Sequence, residues 1–136
     1  MCLVITVRLA DRDAARARDI AAAAAASGTL EVAAVRRLFR GATGELNICE
    51  PRQGCACSML HDDASWDADA WLMRPEVLPP LAATLARIRE QSSEPFTFET
   101  LWVGDDVYYE RQVSFDELHS IVASGQIGAH TRYAVR

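Results

Sequence analysis

The chain predicts an α+β fold: a mostly antiparallel sheet with helices packed on one face. Three observations carry this. Apolar residues recur at period two near the N-terminus and again in the last third of the chain. Helical apolar spacing appears between those stretches, and turn residues separate every element. At 136 residues the chain reads as one domain, 1–136, able to bury about two-thirds of its unfolded surface.

Leu3, Ile5, Val7 and Leu9 alternate with Val4, Thr6 and Arg8, which predicts a half-buried first strand. Asp11 or Asp13 is placed to cap the alanine-rich helix that follows, running to about Ala26. Alanine favours the helix but has little area to bury, so this helix should lie close to the sheet. Ser27-Gly28 is expected to end it through a left-handed cap. Leu30 to Phe39 fits either period; the turn Gly41-Ala42-Thr43-Gly44 favours a strand, with Glu45-Leu46-Asn47-Ile48 as its hairpin partner.

Pro75, Pro79 and Pro80 place the start of the main helix near Pro79, because proline in mid-helix removes a hydrogen bond and clashes. Leu78, Leu81, Leu85 and Ile88 form its apolar stripe, and Arg87, Arg89 and Glu90 are expected to face water. Ser92-Ser93-Glu94-Pro95 stops it. Phe96–Val103 and Val107–Val113 read as a hairpin turning at Gly104-Asp105-Asp106. Ser114-Phe115-Asp116-Glu117 is a capping box. Leu118, Ile121 and Val122 give that helix its apolar face, Ser124-Gly125 closes it, and Thr131 to Val135 reads as a last strand. The first four or five elements resemble the order of a ferredoxin-like fold.

Composition narrows the function. All 14 basic residues are arginine, and the formal charge is −5. Without lysine the chain supports neither Schiff-base chemistry nor a lysine-bearing phosphate loop. An acidic balance argues against general nucleic-acid binding. No apolar run approaches the ~18–20 residues of a membrane span, so no membrane association is expected and the cytoplasm is the expected location. The arginine and alanine bias fits a GC-rich bacterial source, an expectation from composition alone. Four cysteines in a cytosolic chain point to free thiols, metal ligands or redox groups before disulfide staples.

The chemistry-bearing stretch runs from Cys49 to Asp69. Cys49-x5-Cys55-x-Cys57-x3-His61 offers four soft or borderline ligands for zinc or another soft metal, although C-x-C is tighter than the usual zinc knuckle. The same atoms offer disulfide exchange at Cys55 and Cys57, where Arg52 and a helix start near Ser58 would favour the Cys57 thiolate. The plain alternative is a loop whose cysteines only pack, with Cys49 pointing into the core. His61 with Asp62 and Asp63 reads as ligand and outer carboxylates, or as a solvated acidic loop in which Asp67 or Asp69 caps a short helix through Trp71.

Met1-Cys2 resembles the M-C-G start of the N-terminal-nucleophile amidotransferases, but Leu3 stands where their glycine would be, and Cys2 reads as part of the first strand. Gly41-x-x-Gly44 beside Arg36, Arg37, Arg40 and Arg52 suggests an anion site, formed above all by Arg36, Arg40 and Arg52. His119 and His130 match no paired-ligand spacing. Trp66, Trp71 and Trp102 suggest an aromatic sheet face, and with it a homodimer. Two function classes therefore stand side by side: a thiol site, or a non-catalytic domain that binds a protein or small ligand.

Overall fold

The computed structural model describes residues 2–26, 28–35, 44–65, 68–102 and 104–136. Among the described residues six strands form one sheet: β1 (Leu3–Arg8), β2 (Glu31–Val35), β3 (Glu45–Cys49), β4 (Thr97–Trp102), β5 (Tyr109–Val113) and β6 (Thr131–Val135). Among the described residues four α-helices accompany them: α1 (Asp11–Ala14), α2 (Ala17–Ala25), α3 (Leu78–Gln91) and α4 (Phe115–Ser124). The strand order is β2-β3-β1-β4-β6-β5, antiparallel throughout except for the parallel pair β5–β6. The first four strands, with α2 and α3 as crossovers, thus follow the split βαββαβ order of a ferredoxin-like unit.

The period-two pattern sets the two faces. Ile5 registers with Ile48 and Thr100, and Val7 with Leu46 and Phe98, so these side chains share the inner face. All of them are fully buried. Helices α2, α3 and α4 lie side by side, and Ile20, Ala24, Leu81, Leu85, Ile88, Leu118 and Val122 join that face in one core.

The outer face carries Thr6, Arg8, Glu45, Glu99, Arg132 and Glu110. Arg8 contacts Glu45 at 3.0 Å and Glu99 at 3.8 Å. Arg132 contacts Glu99 at 2.6 Å and Glu110 at 4.0 Å. Glu45 and Glu99 are 3% and 2% exposed, and such carboxylates are tolerable only because charged donors reach them.

The predicted hairpin between the fourth and fifth strands does not form. β6 lies between β4 and β5. Burial explains why: in Y-E-R-Q-V only Val113 is buried, which suits an edge, whereas every second residue of β6 is buried. Helix α4 is the crossover that returns the chain parallel to β5. Its capping box is present as predicted: Glu117 N–H donates to Ser114 Oγ, and Ser114 N–H to the Glu117 carboxylate, each at 3.1 Å. Gly125, at φ 78°, supplies the left-handed cap.

Three predicted helix ends are made differently. Asp13 does not cap α1, whose N-cap is Ala10. Its buried carboxylate accepts instead from the Ser93 hydroxyl at 2.7 Å and the Ser93 and Glu94 amides at 3.0–3.1 Å. Gly28 is not left-handed, and Ser27 lies outside the described residues. The last turn of α2 is closed by Arg87, whose Nε donates to the Ala24 carbonyl at 2.8 Å. Its guanidinium takes the space that a Cβ on residue 28 would need, so Arg87 docks on α2 rather than facing water. The described residues 68–71 form no helix before Trp71, and 69–71 pair with 127–129; Asp67 lies outside the described residues.

Trp71 and Trp102 are buried and meet edge to face at 5.2 Å, with Trp71 Nε1 donating to Thr100 Oγ1 at 2.8 Å. They therefore cannot form the exposed aromatic patch expected above; Trp66 lies outside the described residues. No helix among the described residues is long and apolar enough to cross a membrane.

Two stability predictions follow from this packing. Leu85 is fully buried beneath the sheet, so Leu85→Ala is expected to cost roughly 2–5 kcal/mol in denaturant melts through cavity formation. For Asp13, burial raises the carboxyl pKa, but the Ser93 and Glu94 donors and Arg16 outweigh it and hold the group below its ordinary 3.8. A depressed folded-state pKa stabilises above that value and fades as pH falls below it. Asp13→Asn should therefore lose roughly 2–3 kcal/mol at neutral pH. Melts at decreasing pH should show the gap to the parent protein narrowing below 3.8.

Candidate functional site

The chain leaves β3 at Cys49 and turns through Arg52 and Gly54, both left-handed, before meeting the start of β1. There the Ala56 amide donates to the Leu3 carbonyl at 2.8 Å, and the Leu3 amide donates to Cys57 Sγ at 3.2 Å. Ala56 is buried in the core. Its bent backbone, φ −92° and ψ 9°, curls the flanking cysteines towards each other. Cys57 opens a short 3-10 turn, Cys57–Met59. Glu50 holds the far side of the loop, accepting from Ser58 Oγ and Arg74 Nη2, each at 2.8 Å.

This anchoring brings Cys55 and Cys57 to Cys2, one residue before β1. The three Sγ atoms lie within 4.8 Å of one another. Cys2 is exposed and the other two are half-buried; all are free thiols. The group opens to solvent on the Cys2 side and rests on the end of the sheet on the other.

Cys2 is the residue that sequence reasoning missed. It does not belong to the first strand, and its partners lie more than fifty positions away along the chain. Pairing of β1 with the loop decides that meeting, and no local spacing reports it.

The thiols differ in character. The Cys57 amide donates to Cys55 Sγ, and this bond lowers the Cys55 pKa against an opposing effect of burial; the Cys57 and Cys2 thiols add to the lowering. Burial pushes Cys57 up, and Cys55 adds to the rise, despite the Leu3 amide that lowers it. The sequence expectation of an activated Cys57 is therefore reversed. The thiol pulled towards thiolate is Cys55, because it accepts an amide in a more open position.

Cys49 and His61 stand apart from the trio. Cys49 is 3% exposed and registers with Glu31 on the outer face of the sheet, so it is buried under the loop rather than among the inner-face residues. Its Sγ lies 4.0 Å from Glu31 Oε2. Burial raises its pKa, and Glu31 adds to the rise. His61 sits beyond the 3-10 turn, where its Nδ1 accepts from the Asp63 amide at 3.1 Å. Its side chain is 42% exposed.

Of the expected anion site, Arg36 and Arg40 lie outside the described residues, with Arg37 and Gly41. Arg52 is exposed and gives its backbone amide to Glu31 at 3.1 Å. His119 packs on Phe115, and His130 between Trp71 and Tyr108.

The arrangement brings three sulfur donors together, and one of them, Cys55, has its pKa lowered. No protein-family model matches the chain, and comparison with curated proteins and with solved structures finds no match.

Proposed function

We propose that Cys2, Cys55 and Cys57 form a thiol site that binds a soft metal ion such as Cu(I) or zinc. The observation that carries this reading is the convergence of three Sγ atoms within 4.8 Å. Metal–sulfur bonds of about 2.3 Å put the sulfurs of one coordination sphere roughly 3.8–4.0 Å apart, a small side-chain rotation from this spacing. Thiolates select soft ions. The amides of Leu3 and Cys57 aim at the Cys57 and Cys55 sulfurs and would orient them as ligands. A zinc ion held here takes its fourth ligand from water. Free thiols of this kind persist in the reducing cytoplasm, the location expected from composition.

The lowered pKa of Cys55 favours one second reading, disulfide exchange, in which the Cys55 thiolate attacks a substrate disulfide and Cys57 or Cys2 resolves the mixed disulfide. The two readings share Cys55 and differ in their need for the third sulfur.

Metal titration followed by native mass spectrometry tests the first. One ion per chain is expected, and Cys2→Ser, Cys55→Ser and Cys57→Ser should each weaken binding more than the 10–100-fold typical of losing an outer partner, roughly 100-fold or more. Equal binding by the Cys2→Ser chain would remove the trio reading and leave the pair. Thiol reactivity gives the complementary measurement. Alkylation of the native chain, mapped by peptide mass, should modify Cys55 faster than Cys57, with Cys49 last because it is buried.

A further inference from the structure

We propose that the trio takes a trivalent metalloid hydroxide of the arsenite class in preference to zinc or Cu(I), as a pyramidal three-sulfur adduct. The inference rests on the thiol-site reading and names its ligand. Its grounds are donor count and shape.

Three sulfurs converge, and no further His, Cys, Asp or Glu ligand atom among the described residues completes their group. Cys49 is engaged beside Glu31, and His61 is turned to Asp63. Zinc prefers four ligands and has only water to complete its set here. Trivalent arsenic bonds to three ligands and fills the remaining direction with its own lone pair. It therefore wants three donors on one side and open space on the other. The trio matches this in exposure: Cys2 is exposed, while Cys55 and Cys57 are half-buried, flank the buried Ala56 and meet the start of β1 through the Leu3 amide.

The step balances without oxidant or reductant. As(OH)3 and three thiols give As(SR)3 and three waters. Three S–H and three As–O bonds break, three As–S bonds form, and each thiol proton leaves on a departing hydroxyl.

Native mass spectrometry of the whole reduced chain with arsenite, zinc and Cu(I), separately and in competition, tests this. One arsenic per chain is expected, bound with loss of all three hydroxyls. Peptide mapping should show Cys2, Cys55 and Cys57 protected from maleimide. Cys2→Ser, at an exposed position, should lower arsenite affinity roughly 100-fold or more, while Cys49→Ala leaves the adduct intact. An adduct that keeps a hydroxyl, or leaves one of the three thiols reactive, overturns the pyramidal site. Displacement of arsenic by zinc or Cu(I) at equal concentration overturns the preference and leaves the soft-metal reading standing. If arsenite, zinc and Cu(I) all fail to bind, both readings fall together.

Discussion

The structure depends on the pairing of β1 with a neighbour on each side. It is one of the two inner strands of the ferredoxin-like half, antiparallel to β3 on one side and β4 on the other. Leu3, Ile5 and Val7 are fully buried, so a one-residue slip would turn all three to the outer face and bring Arg8 inside. The same register places the backbone of Leu3 where its carbonyl takes Ala56 and its amide takes Cys57. Core and candidate site therefore share one alignment: the strand that organises the hydrophobic face also fixes the floor on which the cysteines meet.

An arginine-only cation set shapes the rest. Each of three key guanidinium groups reaches across elements distant in sequence. Arg8 and Arg132 bracket the buried Glu99 on the outer face, and Arg87 closes the last turn of α2. A planar fork with fixed donor directions suits such bridging better than a point-charge ammonium. The buried Asp13 is the acidic counterpart, tying the end of α3 to the segment after β1 through four donor contacts. Among these links, the Arg87 bond to the Ala24 carbonyl is a long-range solution to an unsatisfied backbone group at the end of α2.

The described residues of the loop, 50–65 and 68–75, are held by backbone pairing more than by regular elements. Leu60 bridges Met73, and Ala70 bridges Gly128. Met59, Trp71 and Met73 fill one end of the core. This explains how a segment rich in turn residues can hold thiols in place: its apolar residues are anchored, while Cys2 and Cys55 stay accessible.

Local chemistry made much of the fold legible. Alternation announced β1 and β6; the stripe Leu81, Leu85 and Ile88 announced α3; and Ser114, Glu117 and Gly125 announced both ends of α4, because caps and periodicities are short-range properties of consecutive residues. The antiparallel α+β class followed from those elements. Tertiary structure decided what depends on partners. It placed β6 between β4 and β5, since edge or centre is a choice between burial patterns of distant strands. It turned Asp13 and Arg87 into cross-links. It also settled which cysteines meet. Two of the three were visible in C-x-C, but Cys2 replaced Cys49 and His61 because the register of β1 against the loop acts across more than fifty residues, and no spacing within the loop encodes it.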